Sequence, residues 1–67
     1  MTNEEVLQAL SHLIGIRYAP SIKDEISAIT LRSRVVGPSE MSTREFDPMR
    51  IHIQADAKGI IEGFAFN

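Results

Sequence analysis

The segment that most constrains the fold runs from Gly37 to Arg50, GPSEMSTREFDPMR, because it shows neither helical nor strand periodicity. It lies between two apolar runs, LRSRVV before it and RIHIQA after it. Gly-Pro opens it and Asp-Pro stands near its end, so proline fixes φ at both ends. Loops of this length are uncommon in compact domains and are usually functional or disordered. The sequence therefore predicts a long, specialised loop between two strands.

The chain is short and has no cysteine. Its 67 residues fit one hydrophobic core, so we expect a single domain spanning residues 1–67. A domain of this size buries only about 60% of the surface that its unfolded chain exposes, and its stability is marginal. Without cysteine the chain forms no disulfide, no thiol redox centre and no Cys-based zinc site.

Charge and hydropathy exclude two classes of partner. The net charge is −2, the basic residues are scattered, and the aromatic residues are one Tyr and three Phe, so we expect no nucleic-acid partner. No apolar run approaches the ~20 residues that cross a bilayer, so we expect no membrane partner. The N-terminus, MTNEEVLQ, lacks the apolar core of a signal peptide, which leaves a cytoplasmic protein and the mature form of a secreted one both open.

Two helices are predicted before the loop. Thr2 and Glu5 form a capping-box pattern, apolar residues follow at helical spacing and Gly15 ends the run, which predicts a short helix from Asn3 to Ile14. The apolar stripe that begins after Ser21 predicts a second, main helix over Ile22–Ile29.

Three strands complete the predicted fold, over residues 31–36, 50–55 and 60–66. The turn DAKG, Asp56 to Gly59, joins the last two strands into a hairpin and ends on a glycine that can take positive φ. Alternation predicts that two sets of side chains each share one face: Leu31, Ser33 and Val35, and Ile60, Phe64 and Phe66. The predicted class is α+β, with one main helix and a short N-terminal helix packed on a small mixed sheet.

The central run of the loop, MSTREF, favours an extended backbone, and its neighbours offer side chains that can tie it down. An extended, exposed and braced loop is the geometry that a protease recognises in a substrate. Such a loop binds without the ordering cost that a flexible peptide incurs. Arg44 suits a trypsin-like specificity pocket, because that pocket ends in a carboxylate that a guanidinium engages in bidentate fashion.

The run PSEMSTREFDPMRIHI resembles the loop-and-strand signature of a small bacterial and fungal family of serine-protease inhibitors. That family is related to potato inhibitor I, the barley subtilisin–chymotrypsin inhibitor type. Its pattern is roughly Gly-(Asp/Glu)-Met-x-Thr-x-(Asp/Glu)-aromatic, a short spacer with Pro, and Arg-aliphatic-x-aliphatic. The match covers Gly37 to Ile53, and the rest of the chain agrees in the order of its elements.

The resemblance implies a reversible, substrate-like inhibitor of serine endopeptidases that needs no cofactor. Arg44–Glu45 would be the reactive bond, in a protease-binding loop made of Met41, Ser42, Thr43, Arg44, Glu45 and Phe46. Many relatives carry an apolar residue where Arg44 stands and inhibit subtilisin, chymotrypsin or elastase. Arg44 favours a trypsin-like target, with a subtilisin-like enzyme as the other partner implied by the resemblance.

The resemblance also implies two residues that support the loop. Arg50 matches the first basic residue of the strand after the loop, and His52 stands where relatives have a second Arg or another polar residue. In the relatives such residues hold the side chains that flank the reactive bond. The match implies that Thr43 and Glu45 hydrogen-bond to Arg50 and that the two cleavage products stay together long enough to rejoin.

Simpler interpretations remain open beside these. Arg44 and Arg50 would then be solvated charges, Met41 would fill the core under the loop, and Phe46 would pack onto the sheet. The chain would be a non-inhibitory interaction module on the same scaffold. We expect no enzyme and no metal site, since Ser11 and His12 are helix neighbours that point apart and the histidines lack ligand spacing.

Overall fold

The structure, a computed structural model, describes residues 1–41 and 45–67. Its described elements are helix α1 (Asn3–Ala9), a 3-10 turn (Ser11–Leu13), helix α2 (Pro20–Thr30) and strands β1 (Val35–Val36), β2 (Ile51–Ala55) and β3 (Ile61–Phe66). The sheet order is β1-β2-β3, with β1 parallel to β2 and β2 antiparallel to β3. This mixed sheet with two helices confirms the predicted α+β class.

Helix α1 begins at the predicted capping box but ends earlier than predicted. The Thr2 amide donates to Glu5 Oε1 (2.8 Å) and the Glu5 amide donates to Thr2 Oγ1 (3.1 Å). The Thr2 amide, and next the Thr2 side chain, lower the pKa of the Glu5 carboxyl. The predicted end at Ile14 is wrong, because a 3-10 turn replaces the last helical turn. With three residues per turn, it keeps Leu13 beneath Leu10, and both are buried.

Helix α2 is longer than the predicted Ile22–Ile29. Pro20 occupies its first turn, where backbone amides have no hydrogen-bond acceptor within the helix, so a residue without an amide hydrogen fits there. The helix ends at Thr30, whose hydroxyl donates to the Ile26 carbonyl oxygen at 2.7 Å. Ile26 is completely buried and fixes the helix on the sheet.

Leu31 shows why the first strand is shorter than predicted. It caps α2 in the left-handed region, with φ of 59°, and is 90% exposed. It therefore does not share a buried face with Val35, and only Val35–Val36 pair with β2. The Ile51 amide donates to the Arg34 carbonyl oxygen (2.9 Å), which starts the parallel pairing one residue before β1.

The β2–β3 hairpin corrects one predicted core residue. Ile51 faces Phe66 and Ile53 faces Phe64, but the register shifts between Gln54 and Ala55. Because of this irregularity, Ile61 rather than Ile60 turns inward, and it is 1% exposed.

The predicted turn DAKG is confirmed. Asp56 Oδ1 accepts hydrogen bonds from the amides of Lys58 (2.8 Å) and Ile60 (3.0 Å). Gly59 has φ of 81°, which a side chain at this position would oppose. The Tyr18 amide donates to the Gly59 carbonyl oxygen (2.8 Å), so the chain before α2 runs beside this end of the hairpin.

Parallel pairing of β1 and β2 explains the position of the long loop. Parallel strands cannot be joined by a tight turn, so the chain that leaves Val36 must return to the start of β2 before Ile51. The described residues of this return, 37–41 and 45–50, are not part of the hydrophobic core. The core itself lies between the helices and the sheet and consists of Val6, Leu10, Leu13, Ile26, Val35, Ile51, Ile53 and Ile61.

Candidate functional site

Arg50 is the central contact at the end of the loop. Arg50 is only 6% exposed, although its guanidinium carries a charge. Nη2 donates to the main-chain oxygens of Glu45 (2.7 Å) and Asn67 (2.6 Å), and Nε donates to His52 Nε2 (3.1 Å). One side chain therefore joins the loop, β2 and the residue that follows β3.

The contact between Arg50 and Glu45 differs in detail from the one that the resemblance implies. The described hydrogen bond goes to the main-chain oxygen of Glu45 and not to its carboxylate. A main-chain contact fixes the path of the backbone whatever the side chain does. The functional roles of Arg50 and His52 remain predictions.

Asp47 closes a second set of contacts on the same side of the loop. Its Oδ1 accepts from the Met49 amide (2.9 Å) and its Oδ2 accepts from Arg34 Nη1 (2.9 Å). The Arg50 amide donates to the Asp47 carbonyl oxygen (3.0 Å), which makes a tight turn at Asp-Pro. The Met49 amide and the nearby Arg34 guanidinium lower the pKa of the Asp47 carboxyl.

Arg32 ties the N-terminus to the base of the loop. It is 7% exposed; its Nη1 donates to Asn3 Oδ1 (2.8 Å) and its Nη2 donates to the Met1 carbonyl oxygen (2.8 Å). Asn3 Nδ2 in turn donates to the Pro48 carbonyl oxygen (3.1 Å). Asn3, the first residue of α1, thus supports the end of the loop from 45 positions earlier in the chain.

The opposite end of the loop is held by Glu40. Its Oε1 accepts from the Gly37 amide (3.0 Å), and both carboxylate oxygens accept from Lys23 Nζ on α2, at 2.8 and 2.9 Å. Lys23, and next the Gly37 amide, lower the pKa of the Glu40 carboxyl. A Cβ at position 37 would lie 2.7 Å from the Tyr18 hydroxyl, so any side chain there would displace the tyrosine.

The described residues between these two anchors expose their side chains. Met41 is 99% exposed and Phe46 is 76% exposed, so neither fills the core nor packs onto the sheet. Glu45 is exposed as well. Three of the predicted site residues, Ser42, Thr43 and Arg44, lie outside the described residues.

Sequence reasoning missed most of the anchoring residues. Asp47-Pro48 carried a usable signal, since an Asp often accepts from the amide two residues on. The spacing of Gly37 and Glu40 is a weaker signal of the same kind. The contacts of Arg32 have no local signal, because their partners are distant in the sequence.

The described part of the chain shows neither a metal-binding cluster nor a membrane-spanning helix. Across residues 1–41 and 45–67, no group of three or more His, Asp or Glu side chains is placed to hold a metal ion. Within the same ranges, the helices are too short and too polar to cross a bilayer.

A solved structure resembles this small α+β fold. It is the elastase inhibitor AFUEI in its crystal form II, which superposes with a TM-score of 0.61 at 26% sequence identity. The alignment covers 96% of this chain and 93% of the inhibitor. No protein-family model and no curated protein sequence matches the chain.

Proposed function

We propose that this protein is a reversible, substrate-like inhibitor of serine endopeptidases. The loop Met41–Phe46 enters the active site, and Arg44–Glu45 is the bond presented to the catalytic serine. Two observations support this proposal: the similarity to an elastase inhibitor over nearly the whole chain, and a loop anchored on both sides of exposed side chains.

The contact between Arg50 and the Glu45 carbonyl oxygen carries the proposal, because it lies directly after the proposed reactive bond. It holds the backbone in one path before the protease arrives, so little conformational entropy is lost on binding. After cleavage, Arg50 would keep the new amino group of Glu45 in place, and the contact of Glu40 with Lys23 would hold the other side. Two ends that are held together re-form the bond far faster than free ones.

Specificity follows from Arg44 in this proposal. A guanidinium reaches the carboxylate at the base of a trypsin-like pocket and forms two parallel hydrogen bonds with it. An elastase pocket is small and does not fit this side chain. We therefore propose a trypsin-like target, although the similar protein of known structure inhibits elastase.

The test is a titration of trypsin, pancreatic elastase and subtilisin with the purified protein, read as residual activity. Inhibition of trypsin that persists for hours is expected, together with its loss in Arg44→Ala and its retention in Lys58→Ala, a change in the β2–β3 turn. Inhibition of elastase or subtilisin alone would contradict the role of Arg44. Rapid cleavage after Arg44 without inhibition would refute the proposal and favour an interaction module.

A further inference from the structure

The hydrogen bond between Arg50 and His52 fixes the protonation state of the imidazole. Arg50 Nε lies 3.1 Å from His52 Nε2, and a guanidinium has donors but no acceptor. His52 Nε2 must therefore carry a lone pair, with the ring proton on Nδ1. The contact exists only while His52 is neutral.

We propose that His52 is a proton-controlled positioning residue that makes the rigidity of the loop depend on pH. The neutral imidazole orients the Arg50 guanidinium toward the Glu45 carbonyl oxygen. Protonation removes the acceptor and puts a second cation beside Arg50 in a half-buried site. The guanidinium then moves, and its hydrogen bond to the Glu45 carbonyl oxygen weakens. This inference rests on the proposed function only where inhibition is the readout.

Imidazole is the side chain that ordinarily changes charge between about pH 5 and pH 8. The pairing partners of His52 are uncharged: Val36 on β1 and Ala65 on β3. Among the described residues, the charged groups placed around it are Arg50 on its own strand, and Glu40 and Glu62, which line the same shallow groove as His52.

The two carboxylates do not compensate for protonation of His52. Glu40 is engaged by Lys23 and the Gly37 amide. Neither carboxylate restores the imidazole acceptor of Arg50 Nε, so the direction is fixed: the brace weakens when His52 is protonated.

The first experiment uses NMR on the protein without protease. The Arg50 Nε–H resonance and the His52 imidazole resonances are followed from pH 8 to pH 5. The Arg50 resonance should shift with the same midpoint as the His52 ring, and it should not shift in His52→Gln, whose side-chain oxygen accepts but does not titrate. An Arg50 resonance that stays constant while His52 titrates would overturn the inference.

The second experiment measures the inhibition constant for trypsin at pH 7.5 and pH 5.5. Loss of one hydrogen bond to a charged group predicts a weakening on the order of tenfold in the protein relative to His52→Gln, which corrects for the titration of trypsin. The control His12→Gln removes the other, exposed histidine and should keep the full pH effect. Equal pH profiles for the protein and His52→Gln would refute the inference. Absence of inhibition at pH 7.5 would refute the proposed function instead, and the NMR result would still decide the role of His52.

Discussion

Arg50 Nη2 lies 2.7 Å from the Glu45 carbonyl oxygen, and the same nitrogen lies 2.6 Å from the main-chain oxygen of Asn67. The loop and the chain that follows β3 are therefore held by one buried nitrogen. Stability of the loop and stability of the sheet edge are coupled through it, because neither oxygen keeps this partner when the guanidinium is removed.

If the protein inhibits as proposed, Arg50→Ala should convert it from an inhibitor into a substrate. We expect trypsin to cleave the Arg44–Glu45 bond at least about tenfold faster. Hydrogen bonds from a charged donor stabilise the loop conformation by about 1.5–3 kcal/mol, and this variant loses them. The free energy of unfolding should fall by a similar amount, about 2–3 kcal/mol. Mass spectrometry of timed digests and urea denaturation measure the two effects.

A loss of global stability alone would also increase cleavage, so Arg50→Ala needs a matched control. Ile53→Ala makes a cavity in the core and should lower stability by about 2–5 kcal/mol. At a temperature where both variants are folded, only Arg50→Ala should show rapid cleavage at Arg44. Equal cleavage of the two variants would mean that Arg50 acts on the fold and not on the loop.

The order of elements was predictable, whereas the end of α2 was not. Capping at Thr2 and the turn at Asp56–Gly59 follow from local chemistry, and both are present in the structure. The exit from α2 uses a left-handed residue, and the usual signal for that conformation is glycine. Leucine at position 31 gives no such signal. The alternation of residues 31–36 therefore predicts a strand that begins at Leu31, four residues before β1 begins at Val35.

Leu31→Gly should stabilise the fold. A left-handed backbone is unfavourable for a residue with a Cβ by about 1–2 kcal/mol, and the exposed leucine side chain gives little packing in return. Allowing for the greater freedom of glycine in the unfolded chain, we expect a gain of about 0.5–1 kcal/mol in urea denaturation. Leu31→Ala keeps the Cβ and is the control, and a gain of the same size there would refute the explanation.

The site was predictable only where the motif named its residues. Arg50 and Glu45 stand at positions that the resemblance marks, and the structure brings them together through the main chain. The contacts of Lys23 with Glu40 and of Arg34 with Asp47 join residues 17 and 13 positions apart. Periodicity and turn chemistry concern residues that are neighbours in the sequence. They therefore do not predict contacts that depend on the packing of α2 and β1 against the loop.

Asp47→Asn should make the protein less sensitive to acid. Because the Met49 amide and Arg34 lower the pKa of Asp47 in the folded state, its contribution is fully present above the ordinary carboxyl pKa. That contribution is lost as the pH falls below about 4. The melting temperature should therefore fall less between pH 5 and pH 2.5 in Asp47→Asn than in the unchanged protein.

Glu62→Gln is the control for Asp47→Asn, because it also removes one carboxylate but lies on β3, where the Glu62 side chain makes no hydrogen bond or ion pair with the described residues. Its melting temperature should follow that of the unchanged protein through the same acid range. An acid profile of Asp47→Asn that matches the unchanged protein would show that these contacts do not stabilise the fold.

Phe46→Ala should separate binding from stability. The side chain is 76% exposed, so its removal should change the free energy of unfolding by less than about 0.5 kcal/mol. An exposed aromatic residue beside the proposed reactive bond should nevertheless bury its surface in a protease, and its loss should weaken inhibition about tenfold or more. The contrasting variant is Phe64→Ala, which packs against the core and should lower stability by about 2–3 kcal/mol without weakening inhibition of the folded protein. If Phe46→Ala inhibits trypsin as well as the unchanged protein does, this part of the loop does not contact the enzyme and the proposed binding mode is wrong.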